Sequence, residues 1–181
     1  MFNIRSVHST SARHLLCLDL VRAVAPPSAE AALRIGRCRR LLAYARSTSW
    51  SVSHVYPRSA GRSPRPIAGL EPLPSEPVYY RTGASAFSNR AFARAMRDQY
   101  DVELVIAALS LSPTAVGTAL AAHDLDIAVA LVGDTLSQDA IDASGVEAIE
   151  TIARALVAPF VQVRATEDYI DARRGLRLVQ S

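Results

Sequence analysis

The sequence contains no lysine, since all 20 of its basic residues are arginine. This absence excludes lysine chemistry by the chain's own side chains, such as a Schiff base or an ammonium group with a tunable pKa. Only two cysteines are present, Cys17 and Cys38, and their separation matches no metal-ligand spacing. We expect both to be free thiols in a reducing cytoplasm. No apolar run reaches about 18 residues, so no membrane-spanning helix and no membrane partner are expected.

The composition that remains is that of one ordinary folded domain. The chain has 181 residues, 50% of them hydrophobic, and carries a net charge of +3. Its arginines cluster over 34–46 and 58–65, which we interpret as a solvated helix face and a basic loop. A basic patch can attract phosphate, but no aromatic-rich strand or binding motif accompanies it. We therefore predict no nucleic-acid partner.

Strand-like and helix-like hydrophobic runs alternate along the chain. Strands are predicted at 13–21, 50–56, 78–80, 102–107, 126–132 and 159–163, and helices at 28–47, 88–99, 113–123, about 138–156 and from about 166. This alternation implies right-handed βαβ crossovers and a sheet covered on both faces. We predict a three-layer α/β fold, α-β-α, with a mostly parallel sheet of about six strands. The domain is expected over 13–172, between an N-terminal tail at 1–12 and a basic C-terminal tail at 173–181.

Three candidate site segments follow predicted strands. Asp19 closes the first strand, Arg81 follows the third, and the hydroxyl-rich turn from Ser110 to Thr114 follows the fourth. In parallel sheets, functional residues usually lie beyond the carboxyl ends of the strands. We therefore expect these three segments to converge on one cavity. Ser112 and Pro113 also suit the first positions of a helix, so a plain helix start accounts for much of this turn.

Two further side chains are weaker candidates for substrate binding. His54 lies near the end of the second predicted strand and can face the pocket, although a core or solvent-facing histidine is the alternative. Tyr79 and Tyr80 alternate faces, so one of them can line the pocket, and we choose Tyr80. No histidine shows a paired ligand spacing, so neither a metal nor another cofactor is predicted.

The order of these motifs resembles the isochorismatase-like cysteine hydrolase superfamily over roughly residues 14–170. The superfamily includes nicotinamidases, carbamoylsarcosine-type amidases, ureidoacrylate hydrolases and isochorismatases. Its apolar strand ending in Asp-x-Gln is here Asp19-Leu20-Val21, and its basic residue before Ser-Ala-Phe is Arg81, ahead of residues 85–87. Its motif Gly-x-x-Thr-x-x-Cys-Val-x-x-Thr-Ala corresponds to ALSLSPTAVGTA, residues 108–119.

The resemblance implies a catalytic set of Asp, Lys and Cys, which becomes Asp19, Arg81 and Thr114 in this chain. The scaffold is therefore retained while two members of the set differ. The resemblance also implies a cis peptide between Leu109 and Ser110, a small-molecule substrate, and a homo-oligomer, either a dimer or a tetramer.

Two functions remain open. The first is a hydrolase-like protein that acts on or binds a small polar molecule with a C–N amide or vinyl ether bond. A threonine hydroxyl is a far weaker nucleophile than a thiol, so Asp19 as general acid is the thiol-free route. The second is a catalytically inactive pseudoenzyme serving as a binding or assembly module. An open pocket beside Asp19 favours the first function, whereas a filled pocket or a closed Asp19–Arg81 ion pair favours the second.

Overall fold

The computed structural model describes residues 12–22, 28–59, 63–136, 155 and 157–171. Six strands are present in this part of the chain: β1 Ala12–Leu18, β2 Ser51–Pro57, β3 Val78–Arg81, β4 Val102–Ala107, β5 Ala128–Val132 and β6 Gln162–Arg164. They form one sheet in the order β3-β2-β1-β4-β5-β6, and every neighbouring pair is parallel. The predicted α/β class and parallel six-stranded sheet are confirmed.

The sheet is accompanied by the α-helices α1 Ala29–Ser47, α2 Arg90–Arg97, α3 Pro113–His123 and α4 Thr166–Ile170. The Ser28 side chain caps α1 by accepting from the Ala31 N–H at 3.0 Å, as its position before the apolar repeat indicates. No helix in this part of the chain is long and apolar enough to cross a membrane. The helix predicted over about 138–156 and both predicted tails fall almost entirely outside the described residues.

The helices cover both faces of the sheet, which gives the three layers. Alternation along β1 sends Leu16 and Leu18 to the face that packs against α2 and α3, where Phe92 is fully buried. The neighbouring Leu15 and Cys17 point to the opposite face, which packs against α1 and α4. Each fully buried leucine of this kind contributes about 1.5–3 kcal/mol relative to an exposed one. The central strand is therefore buried on both sides.

The first strand ends earlier than predicted. It stops at Leu18 because Asp19 adopts a left-handed backbone conformation, with φ of 53°. Val21 then forms an antiparallel bridge with Pro66 and does not continue the parallel ladder. The apolar run of the sequence continues through Leu20 and Val21 because both are buried beneath the loop that returns over the sheet.

Candidate functional site

The structure brings the three predicted site segments together at the carboxyl end of the sheet. Asp19 follows β1, Arg81 is the last residue of β3, and the turn after β4 leads into α3. They line one cavity of about 200 Å³, which we call the Asp19 cavity. Its lining residues come from these three segments: Leu18, Asp19, Arg81, Ala108, Leu109, Ser110, Ser112 and Thr114.

Asp19 is held in place by its own backbone. Its N–H donates to the Val55 carbonyl of the neighbouring strand at 2.9 Å, and its carbonyl accepts from the Val21 N–H at 2.8 Å. Aspartate is one of the few non-glycine residues that adopt a left-handed conformation readily. Because of this turn, the Asp19 side chain no longer follows the alternating faces of β1 and lies at the cavity.

A closed ion pair joins Asp19 to Arg81. The Arg81 Nη2 donates to Asp19 Oδ2 at 2.7 Å, and Nε lies 3.2 Å from both carboxylate oxygens. The remaining terminal nitrogen, Nη1, donates to the Gly83 carbonyl at 2.9 Å. The two side chains are only 15% and 19% exposed, for Asp19 and Arg81 respectively. The guanidinium fork engages both carboxylate oxygens at once, which a lysine ammonium cannot match in geometry.

The loop after β3 fixes the far end of this pair. The Ser88 hydroxyl accepts from the Thr82 and Gly83 N–H groups at 3.2 and 3.0 Å and donates to the Ser85 carbonyl at 2.7 Å. These bonds hold the Gly83 carbonyl in the position where it receives Arg81. No signal in the sequence identified Gly83 as part of the site.

Helix α3 clamps the same loop from the other side. The Thr118 hydroxyl, fully buried, accepts from the Ala86 N–H at 2.9 Å. A Cβ on Gly117 would lie 2.4 Å from the Ala84 carbonyl oxygen, so only glycine permits this approach. The Ser-Ala-Phe segment and the glycine of α3 therefore set the position of the loop that supports Arg81.

Thr114 lies in the first turn of α3 and is 7% exposed. The Ser112 side chain caps the helix by accepting from the Ala115 N–H at 3.2 Å, and Pro113 occupies the first helical position. The helix start thus accounts for Ser112 and Pro113, as the simpler interpretation of this turn requires. Thr114 is the residue of the first helical turn that contributes a hydroxyl to the cavity wall.

Among the described residues, no cysteine or histidine lines the Asp19 cavity. Cys17 and Cys38 are both free thiols, as predicted, and both are buried in the layer beneath α1. Burial raises the pKa of Cys17 well above its ordinary value and that of Cys38 to about 12. Neither thiol lies at the Asp19 cavity, and neither is ionised readily enough to act as a nucleophile.

His54 lies on the opposite face of the sheet and does not reach the cavity. It is fully buried, and its Nε2 is 2.9 Å from Glu76 Oε2, while its Nδ1 is 3.4 Å from the Tyr56 hydroxyl. Burial lowers the pKa of His54, against the effect of Glu76. The core histidine, which was the alternative interpretation, is what the structure shows.

Tyr80 is also absent from the cavity wall. It is 40% exposed, and its ring centroid is 6.4 Å from that of Tyr56 on the α1 side. Because strand residues alternate faces, Arg81 shares its face with Tyr79 and not with Tyr80. Of the predicted binding residues, only Ser110 lines the cavity.

Three cavity residues lie outside the predicted segments: Leu18, Ala108 and Leu109. They are neighbours in sequence of predicted ones, so adjacency to Asp19 and to the turn after β4 was the available signal. The cis peptide implied between Leu109 and Ser110 is absent, because the described residues contain no cis peptide bond. Within the same residues, no group of three or more His, Cys, Asp or Glu side chains can hold a metal ion.

Comparisons with known proteins agree with this architecture. A family model described as Isochorismatase domain matches residues 13–168. An isochorismatase from Pseudomonas putida superposes with a TM-score of 0.73 at 22% identity, covering 86% of this chain and 89% of that one. An isochorismatase family protein from Desulfovibrio vulgaris gives 0.71 at 22% identity, covering 91% and 99%.

An N-carbamoylsarcosine amidase from Thermoplasma acidophilum gives a TM-score of 0.63 at 18% identity, covering 86% of this chain and 97% of that one. At these identities the superpositions show a shared fold. No curated protein matches the sequence significantly. The family match, which spans most of the chain, carries the assignment: the chain belongs to the isochorismatase family.

Proposed function

We propose that this chain binds a small polar molecule in the Asp19 cavity and does not carry out thiol-dependent hydrolysis. One observation carries the proposal: Arg81 engages both oxygens of Asp19, while a hydroxyl stands at position 114. The ion pair therefore commits a lone pair of each carboxylate oxygen to the guanidinium. A hydroxyl also lacks the acidity that lets a thiol attack a carbonyl at neutral pH.

The chemistry of the cavity wall supports a small ligand with polar and apolar parts. The volume of the Asp19 cavity, about 200 Å³, is below the range of about 300–1,000 Å³ that is typical of sites for drug-sized molecules. The hydroxyls of Ser110 and Thr114 can donate to a carbonyl or accept from an amide. Leu18, Ala108 and Leu109 supply an apolar wall. A small amide or urea satisfies both kinds of surface.

Hydrolysis without a thiol, at a C–N amide or vinyl ether bond, is the second candidate. Asp19 favours it, because it is the one carboxylate among the described cavity residues and its side chain is 15% exposed. In that case Asp19 would act as general acid or base on the bound molecule. The closed ion pair opposes this role, because Arg81 already donates to both carboxylate oxygens.

Binding can be tested by filling the cavity. A panel of small amides and ureas, together with isochorismate, is screened by thermal shift and calorimetry against wild type, Ser110→Tyr and Ser75→Tyr. Ser110 lines the cavity, whereas Ser75 is an exposed loop residue remote from it, so the second variant controls for an added tyrosine. We expect a saturable ligand whose affinity falls at least tenfold in Ser110→Tyr only. Equal binding by both variants would contradict the proposal.

We further propose a homo-oligomer, either a dimer or a tetramer, on the family resemblance, and a cytoplasmic location on the two free thiols. Light scattering coupled to size-exclusion chromatography measures the mass directly. A monomer at micromolar concentration would contradict this part of the proposal without affecting the binding site.

A further inference from the structure

A second and larger cavity lies beside the Asp19 cavity, at the carboxyl ends of β1 and β2. Its volume is about 880 Å³. We call it the arginine groove, and its lining residues are Val21, Arg22, Pro57, Ser59, Ser63, Pro64, Arg65 and Pro66. Val21 is hydrogen-bonded to the backbone of Asp19, and Pro57 is the β2 partner of Arg81. The groove and the Asp19 cavity therefore share the segment after β1 and adjoin where the end of β2 pairs with the end of β3.

Backbone hydrogen bonds hold the two arginines of the groove opposite each other. The Arg22 N–H donates to the Arg65 carbonyl at 3.0 Å, next to the antiparallel bridge between Val21 and Pro66. Pro64 and Pro66 flank Arg65 and fix their own φ angles, which stiffens this wall. The two guanidinium groups thus extend from backbones that are locked together.

The groove is positively charged, and its charge is not neutralised within the described residues. No acidic residue lines the groove in the part of the chain that the structure describes, and both arginines are exposed. Neither of their side chains forms an ion pair or hydrogen bond in the described part of the chain. Arginines of α1 behave differently: Arg40 pairs with Glu167 and Arg46 with Glu76. Two free guanidinium groups beside the hydroxyls of Ser59 and Ser63 form a donor set suited to a carboxylate or phosphate.

We propose that the arginine groove binds an oxyanion group, carboxylate or phosphate, of a small molecule whose polar part occupies the Asp19 cavity. Only the placement of the ligand's polar part in the Asp19 cavity rests on the proposed function. The inference assigns the ligand to a chemical class: a small acid with an amide-like or ether-like polar end. The rigid proline walls and the short distance along the strands to Asp19 favour a compact ligand over an extended polyanion.

The test uses the full chain and two simple probes, inorganic phosphate and succinate, at constant ionic strength. Amide chemical shifts are followed by NMR during titration of wild type, Arg22→Gln, Arg65→Gln and Arg97→Gln. Arg97 is an exposed arginine in the last turn of α2, at the amino end of the sheet, so it controls for the loss of one positive charge. We expect saturable binding by at least one probe, with affinity lowered at least fivefold by each groove variant and less than twofold by Arg97→Gln. The stronger probe identifies the oxyanion.

Three results would overturn the groove proposal. The first is that the amide chemical shifts change linearly with the concentration of both probes, without saturation. The second is that all three variants weaken the binding of the probes equally. The third is an affinity for single-stranded oligonucleotides that rises with their length, which would indicate a surface for polyanions. Neutral amides separate the two proposals: if they bind wild type and the groove variants equally while the oxyanions fail to bind, only the groove assignment is lost.

Discussion

Replacing Glu76 by glutamine should lower the free energy of unfolding by about 3 kcal/mol at pH 7. The Glu76 side chain is 7% exposed and lies in the loop that leads to β3 and Arg81. Its carboxylate accepts from Arg46 Nε and Nη2, both at 2.8 Å, from the Leu73 N–H at 2.9 Å, and contacts His54 Nε2 at 2.9 Å. Arg46 also donates to the Glu71 carbonyl, so this network fastens the loop to α1.

The magnitude follows from the pKa of this carboxyl. Burial raises the pKa of Glu76, but the hydrogen bonds from Arg46, Leu73 and His54 outweigh it and lower the pKa from 4.5 to about 2. At about 1.36 kcal/mol per pKa unit, this difference is worth about 3 kcal/mol. Because the folded-state pKa is lowered, the stabilisation is complete above about pH 4.5 and is lost as the pH falls towards 2. At pH 3 it should be roughly half as large.

Urea denaturation of wild type, Glu76→Gln and Glu71→Gln at pH 7 and pH 3 measures this effect. Glu71 lies in the same loop but is exposed, and a glutamine can still accept from the Gly69 N–H that it binds. We expect Glu71→Gln to change stability by less than about 0.5 kcal/mol. The reasoning fails if the two variants behave alike, or if the deficit of Glu76→Gln does not shrink at pH 3.

Three further outcomes test other parts of the structure. Gly117→Ala should destabilise the protein by about 1–3 kcal/mol, because the added Cβ meets the Ala84 carbonyl. The control Gly36→Ala, whose added Cβ has no atom within 4 Å, should raise the melting temperature. Equal effects of the two substitutions on stability would contradict the close approach of α3 to the loop. Arg81→Lys should lower the free energy of unfolding by about 1–2 kcal/mol, because one ammonium cannot bind both Asp19 oxygens and the Gly83 carbonyl. The control Arg90→Lys, at an exposed helix start, should lower it by less than about 0.5 kcal/mol in the same thermal or urea unfolding experiment. Cys17 and Cys38, 1% and 2% exposed, should react with a disulfide reagent only after unfolding, and rapid labelling of the native protein would refute their placement.

Much of the fold was predictable because a doubly covered parallel sheet leaves a strong mark on a sequence. Its central strands are continuous apolar runs, and each is separated from the next by a helical repeat or a long loop. The convergence of Asp19, Arg81 and the turn after β4 followed from one rule, that the carboxyl ends of parallel strands share an edge.

The sequence could not show that His54 and Tyr80 lie away from the Asp19 cavity, and the reason is physical. In β2 both faces are buried, so Ser53, His54 and Val55 are all inaccessible and no polar–apolar alternation indicates which face each residue takes. The direction of His54 depends on its partner Glu76, which lies 22 residues later in a loop. Such long-range polar contacts have no local signal in the sequence.

The arginine-rich helix shows a similar limit. Charge runs on α1 predict a solvated face, and Arg37, Arg39 and Arg40 are indeed exposed. Arg34 is 4% exposed, however, and pairs with Glu30 at 3.4 Å, while Arg46 reaches the Glu76 network. Long side chains can be covered by segments distant in sequence, which composition alone cannot reveal.

The most direct measurement of the central claim is product formation by wild type and Asp19→Asn, at saturating concentration of whichever amide, urea or isochorismate binds. Thr114→Cys combined with Arg81→Lys introduces the residue types that the family resemblance implies at these positions, and Ser75→Cys controls for an added thiol. We predict no turnover by wild type above the Asp19→Asn background, and amide hydrolysis gained by the double variant alone. Turnover by wild type that Asp19→Asn abolishes would contradict the claim and establish a thiol-free hydrolase.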